Sequence, residues 1–467
     1  MFRNIADTFA NCFKVPELKS RILFTLGVLA IVRVIAFVRV PGLDGVALTN
    51  FFNSHAQSGG GAMGMYNMFA GGALEHCAVG AIGIMPYISA TIIIQLLTAV
   101  WPKLSKLARE EGGRTKIVQY GRYLTVLLCF GWGFATAITW ENPAKVFGSD
   151  FVGQLIVPSL MDHIWWYRIQ TTLILTTGTM LLMWLGEQIT ERGIGNGVSL
   201  VITIGILSRL PSAWVGLKDM FGGAEPQHHL IGSGLVMLFL LAGVIASVIA
   251  ITQAQRKIPV QYAQRAVGRK MYQGGTSFMP LKVNYAGVMP IIFAQSILMF
   301  PPMIFKNASI FFSGSPFWSE TFRSLANALD TTTASIWYLS LYSLMILFFS
   351  YFWVATQFNE IQIADDLKKN GGYIPGVRPG QGTSDYLHKA MSRITLAGAI
   401  FLTVIAVIPI ILSRKMGISY AVASFFGGTS ILITVGVLLD TMRQVESHLM
   451  MRHYDGFLKK GKLRGRF

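Results

Sequence analysis

The chain has 467 residues, of which 52% are hydrophobic and only 13% charged, whereas an ordinary soluble domain carries about 25% charge. That deficit excludes a conventional water-soluble globule, and the connections left between ten apolar runs are too fragmented for a separate soluble enzyme domain. Lys and Arg number 39 against 22 Asp and Glu, a formal charge of +17, but the basic residues gather in alternate connections, a pattern that nucleic-acid binding does not require and membrane insertion does.

In chain order the apolar runs, each near the length needed to cross a hydrocarbon core, are 20–38, 78–100, 117–139, 169–187, 197–210, 230–252, 285–305, 336–357, 392–412 and 421–442. The first exceeds a signal-peptide core and no small-residue cleavage site follows it, so it reads as a retained helix. The fifth is the shortest and is interrupted by Ser208 and Arg209. Counting Arg21, Arg122, Arg209 and Arg393, near run ends, with the adjoining connection, 29 Lys and Arg lie on one side of the membrane and 9 on the other, while Arg33 falls inside the first run. Basic residues near spans resist translocation, which puts the N-terminal segment 1–19, the long loops 253–284 and 358–391 and the tail 443–467 in the cytoplasm. Arg33 would cost about 2.5–3.5 kcal/mol at a helix centre. Its position near the outer end favours snorkelling, with a charge facing a cavity as the other reading.

The segment from Gly59 to His76, GGGAMGMYNMFAGGALEH, is apolar in its middle yet too short to span. Such a stretch stays at membrane depth only when protein or a water-filled cavity surrounds it. A short re-entrant helix at 64–74 is expected, a helix lying on the membrane surface being the alternative.

Ten spans divide into five and five, 20–210 and 230–442, joined by a hinge region at 211–229. An odd number per half makes the halves enter from opposite sides, so the topology permits inverted repeats. The second span of each half carries Gly and Pro: Gly80, Gly83 and Pro86 in one, Gly287, Pro290 and Pro301 in the other. Irregular helices at corresponding positions point to a functional midplane; Pro-kinked structural helices are the plainer alternative.

Several chemistries find no support. Cys12, Cys77 and Cys129 lie far apart, and all eight histidines fall in loops or at helix ends, so neither a metal site nor a cofactor is expected. Glu187 and Asp440 sit near cytoplasmic ends and make no midplane carboxylate pair, which counts against an ion-coupled pump. There is no G-x-x-x-x-G-K-[ST] phosphate loop, so energy must come from a partner. The two long basic loops owe their sign to orientation; their length suggests docking of an acidic or polyanionic partner. From the residues alone, a secondary transporter of a small solute competes with a channel.

The motifs GIMPYISATIIIQLLT at 83–98, WLGEQITERGIGNG at 184–197, PLKVNYAGVMP at 280–290, ADDLKKNGGYIPGVRPG at 364–380 and FGGTSIL at 426–432 together resemble the SecY-type protein-conducting channel family, in one order over nearly the whole chain. The resemblance implies an all-α polytopic membrane protein of ten transmembrane helices. These form two pseudo-symmetric inverted five-helix halves, with a lateral gate at spans two, three, seven and eight and a re-entrant plug helix. It implies a plug at Met65, Tyr66, Asn67, Met68, Phe69, Ala70, Gly71 and Gly72, and a pore ring of Ile84, Ile88, Ile202, Ile292 and Ile433. Such a ring seals by discouraging a continuous water column. It further implies cytoplasmic docking through Arg269, Lys270 and Arg378, Lys270 standing where the family commonly has Arg. The implied activity is passage of unfolded polypeptide across a bacterial plasma membrane and lateral release of hydrophobic segments into lipid, without catalysis. Implied partners are small SecE-type and SecG-type subunits, a SecA-type motor ATPase, the ribosome, signal sequences and nascent chains.

Overall fold

The structure, a computed structural model, describes residues 15–54, 64, 66–67, 69–110, 112–143, 151, 153–211, 214–215, 230–262, 265–267, 270–272, 275–298, 300–312, 314–330, 335–416 and 429–460. Helix occupies every one of the apolar runs. The chain divides into two compact units, Met1–Glu225 with Val437–Phe467, and Pro226–Gly436.

The first unit opens with α1 (Pro16–Ile35), Pro at its start removing an N–H that would have no helical partner. A short α2 (Val46–Ser54) follows, then α3 (Met85–Val100), α4 (Pro102–Arg109), α5 (Gly113–Glu141), α6 (Ile164–Arg192) and α7 (Gly197–Leu207). The expected span at 78–100 becomes helical only at Met85. Residues 79–84 run in turns, because Gly83 takes φ +65°, which an α-helix cannot include. The chain bends by 102° between α3 and α4.

Helices α5 and α6 pack antiparallel, clamped by ion pairs at both ends. Arg122 donates twice to Glu187, at 3.1 and 2.9 Å, and Arg168 twice to Glu141, at 3.0 and 2.8 Å. The GIGNG turn between α6 and α7 is tied into the same unit. Ile194 N–H donates to Thr25 Oγ1 at 3.1 Å, Gly195 N–H to Gln444 Oε1 at 2.8 Å and Gly197 N–H to Thr190 Oγ1 at 2.9 Å. Asn196 caps α7 by accepting from Ser199 N–H at 3.2 Å, satisfying a donor at the helix start. A Cβ at Gly197 would collide with the Gly186 carbonyl, so much of this motif serves close helix crossing.

The second unit begins with α8 (Leu230–Gln253), which runs into β1 (Gln255–Tyr262), β2 (Arg265–Val267), β3 (Lys270–Tyr272) and β4 (Thr276–Lys282). Next come α9 (Met289–Leu298), α10 (Phe300–Phe311), α11 (Pro316–Ala328), α12 (Ile336–Gln357), α13 (Glu360–Lys369), β5 (Gly372–Tyr373) and α14 (Gln381–Met416). The last helix, α15 (Thr429–Lys460), belongs to this unit up to Gly436. The expected span at 285–305 is thus two helices, with Pro301 and Pro302 in the first turn of the second.

The expected loop at 253–284 is mostly strand. β1 lies between β4 and β5 in one antiparallel sheet, paired from Gln255↔Lys282 to Gln261↔Thr276 and by Gln261↔Tyr373. Ile258 and Val260 point inward while Arg256, Lys257 and Pro259 are exposed, the alternation of a half-buried strand. This sheet and the β2–β3 hairpin are small additions to an otherwise helical fold.

Among the described residues, α5, α6, α12 and α14 contain stretches long and apolar enough to cross a membrane, and the bent pair α3 and α4 makes a fifth candidate. At 11 and 10 residues, α7 and α9 reach about half of a bilayer core of about 30 Å.

Candidate pore seal and docking loop

Residues 64, 66, 67 and 69 of the expected plug segment are helical, and from Ala70 the chain runs in turns. The expected helix over 64–74 therefore ends early, because Gly71 and Gly72 take φ of +65° and +87°. Met65 and Met68 lie outside the described residues. Tyr66, Asn67 and Phe69 are buried, 2% of Asn67 being accessible, so this segment sits inside the first unit and not on a surface.

Its contacts come from several helices of that unit. The Tyr66 hydroxyl donates to the Ile82 carbonyl at 2.8 Å, and its ring stacks on Trp132 of α5 at 5.8 Å between centroids. Arg33 of α1 donates through Nη1 to the Gly71 carbonyl at 2.9 Å. Its guanidinium also lies 5.4 Å from the Phe37 ring centroid. Snorkelling, the first reading of Arg33, is replaced by this inward contact. Ser208, just beyond α7, reaches the same carbonyl at 3.4 Å. The backbones of Gly71 and Gly205 approach so closely that a Cβ on Gly71 would lie 3.0 Å from the Gly205 Cα.

Glu75 closes the segment. Its Oε2 accepts from Arg209 Nη2 at 2.8 Å and from Asn67 Nδ2 at 3.0 Å, while its N–H donates to Asn67 Oδ1 at 3.3 Å. Thr49 of α2 donates to the Glu75 carbonyl at 2.9 Å, and His76 Nε2 stands 3.6 Å from Oε1. Burial holds the His76 imidazole below the ordinary histidine range, Glu75 pulling the other way. Burial also pushes the Cys77 thiol up to about 12. Sequence reading missed the Glu75–Arg209 pair; the interruption of the fifth run by Arg209 and a carboxylate ending an apolar segment were its traces.

The five isoleucines are buried, each within its own unit. Ile84 stands at the N-terminal boundary of α3, Ile88 one turn later and Ile202 on α7; Ile292 lies on α9 and Ile433 on α15. In the first unit Ile84 lines a small cavity with Arg33, Phe69, Ala70, Gly83 and Val201, so one ring candidate adjoins the plug segment directly.

Of the expected docking residues, Arg378 is exposed on the turn between β5 and α14. Thr383 donates to its carbonyl at 3.0 Å. Gly376 and Gly380 take φ of +79° and +93°, and Ile374 is buried in a core with Ile258, Leu281, Phe358 and Leu387. A guanidinium thus projects from an anchored base. Lys270 pairs with Val267 in the β2–β3 hairpin, and Arg269 lies outside the described residues. Among the described residues, no group of three or more His, Cys, Asp or Glu is placed to hold a metal ion.

The SecY family profile matches residues 78–442. A protein translocase subunit SecY from Chlamydia trachomatis is 40% identical over 463 residues, covering 98% of this chain and 99% of that protein. The chain belongs to the SecY family. Two solved structures extend the likeness to the fold. One described as a protein-conducting channel superposes with a TM-score of 0.57 at 16% identity, covering 95% of this chain and 94% of the other. The second is a SecY whose plug domain is described as stabilising the closed state and maintaining a membrane seal. It gives a TM-score of 0.53 at 17% identity with the same coverage. The chain is accordingly a multi-pass, predominantly helical membrane protein of SecY type, and its plug-like segment and basic loops are to be read in that family's terms.

Proposed function

We propose that this chain is the channel subunit of a Sec-type protein translocase, a passive conduit that passes unfolded secretory polypeptides and releases transmembrane segments sideways into lipid. The observation that carries the reading is the 64–74 segment, which is too short to span yet is buried at Tyr66, Asn67 and Phe69 beside the start of α3. A removable plug needs such a seat. Ile84, Ile88, Ile202, Ile292 and Ile433 form the constriction in this reading, and their β-branched apolar side chains hold back water without gripping a passing chain.

The protein is a channel subunit and not an enzyme; its driving force comes from a SecA-type motor ATPase or a translating ribosome docked on Arg378, Arg269 and Lys270. SecE-type and SecG-type small subunits complete the complex. A signal sequence opens the channel by binding the open state better than the closed one. The setting is a bacterial plasma membrane with both termini in the cytoplasm, the two halves articulating at 211–229.

Proteoliposomes holding this chain with its small partner subunits test the reading. With motor ATPase and ATP they are expected to protect a secretory precursor from external protease. Saturable uptake of a small solute without precursor protection would replace the channel by a transporter.

A further inference from the structure

We propose that Glu75, Arg209 and Arg33 form an electrostatic latch that sets how readily the plug leaves its seat, with Glu75 as its central member. The inference rests on the plug reading and assigns the residues that hold the plug.

Glu75 faces both ways. Its carbonyl is fixed to α2 through Thr49, at 2.9 Å, while its carboxylate takes one hydrogen bond from Asn67, in the plug, and one from Arg209, beyond α7. Arg209 and Glu75 are largely buried, with 24% and 13% of their side chains accessible, so water screens the pair weakly. Arg33 holds the plug at a second point, the Gly71 carbonyl. Arg209 lies against the same turn, its Nη2 3.5 Å from where a Cβ on Gly72 would stand, so two guanidiniums flank Gly71 and Gly72, and Glu75 is the carboxylate paired with one of them.

Removing the Glu75 charge therefore does more than delete one ion pair. It turns the bond that Asn67 makes from the plug and the bond from Arg209 from charge-assisted to weaker neutral ones at the same time, and charge-assisted hydrogen bonds are roughly twice as strong. The seated plug is then held more weakly at Asn67, and its displacement costs less. The charge of Glu75 favours the seated plug and its loss favours the displaced one.

Three variants and a deletion, reconstituted with the partner subunits, test the latch by resting ion conductance and by export of precursors with weakened signal sequences. Glu75→Gln keeps the shape and an acceptor for Asn67. It is expected to raise resting conductance about tenfold, the factor carried by each ~1.4 kcal/mol, and to admit weakened signal sequences. Arg209→Glu is expected to leak at least as much. The exchanged pair, Glu75→Arg with Arg209→Glu, is expected to recover most of the seal, which a role in packing alone would not produce. Wild-type conductance in Glu75→Gln at normal abundance overturns the latch, as does an exchanged pair that leaks no less than the singles. Deleting 64–74 keeps the two readings apart. A deletion that leaks while Glu75→Gln stays tight refutes the latch alone; a tight deletion refutes the plug reading beneath it.

Discussion

Arg33 and Gly71 stand 38 positions apart in the chain, and a 2.9 Å hydrogen bond joins the guanidinium of one to the carbonyl of the other. The contact depends on glycine. Gly71 has φ +65°, and a Cβ there would lie 2.7 Å from Arg33 Nη1 and 3.0 Å from the Gly205 Cα. Gly71→Ala is expected to cost about 1–2 kcal/mol from the left-handed backbone alone and to loosen the seat. Resting ion conductance of the reconstituted channel should rise while membrane abundance stays near normal. A tight channel would show that the Gly71 turn is not part of the seal.

The proposed isoleucine ring permits a test of chemistry rather than size. Replacing Ile88 and Ile292 together by Asn should wet the constriction, because amides retain water that a sec-butyl group repels. Replacing both by Leu keeps volume and apolarity and should cost less than about 1.5 kcal/mol per site. Conductance measurements are expected to separate the two double mutants, Asn leaking and Leu near wild type. Equal background leak from both would remove these residues from the pore.

Arg378→Glu should impair motor-driven export with little effect on stability. The side chain is exposed, where substitutions usually change stability by no more than about 0.5 kcal/mol, and the buried Ile374 beneath it is untouched. Export kinetics of a secretory precursor, compared at equal abundance, decide the matter; normal kinetics would take Arg378 out of the docking surface.

Gly197→Ala should behave differently from every pore or docking variant. The added methyl would meet the Gly186 carbonyl, a backbone atom that cannot swing aside, so a loss of at least ~1–3 kcal/mol is expected from overpacking. Thermal unfolding in detergent should fall and membrane abundance with it. Wild-type stability would show that α6 and α7 part without cost.

The apolar runs were legible because hydropathy alone reports them, and the eighth, read as 336–357, is the helix Ile336–Gln357. Polar extensions were not. Helix α14 starts at Gln381, well before the run read from 392, because its first turns are amphipathic and lie outside any apolar window. The start of α3 was misread because the left-handed turn at Gly83 occurs within an apolar stretch. Strand β1 was hidden because Arg256, Lys257 and Pro259 resemble a loop until their alternation with Ile258 and Val260 is seen. The contact of Arg209 with Glu75 joins residues separated by 134 positions, a distance over which no local pattern speaks.

The β1–β4–β5 sheet makes one mechanical object of two loops. β1 leaves the end of α8, β4 leads into α9, and β5 lies between α13 and α14. Backbone hydrogen bonds join all three strands. A load applied at the Arg378 turn is delivered through β5 to β1, and from there to the roots of α8 and α9 together. A partner docked at that turn, as proposed, would pull on both helices at once, as a handle does rather than a tether.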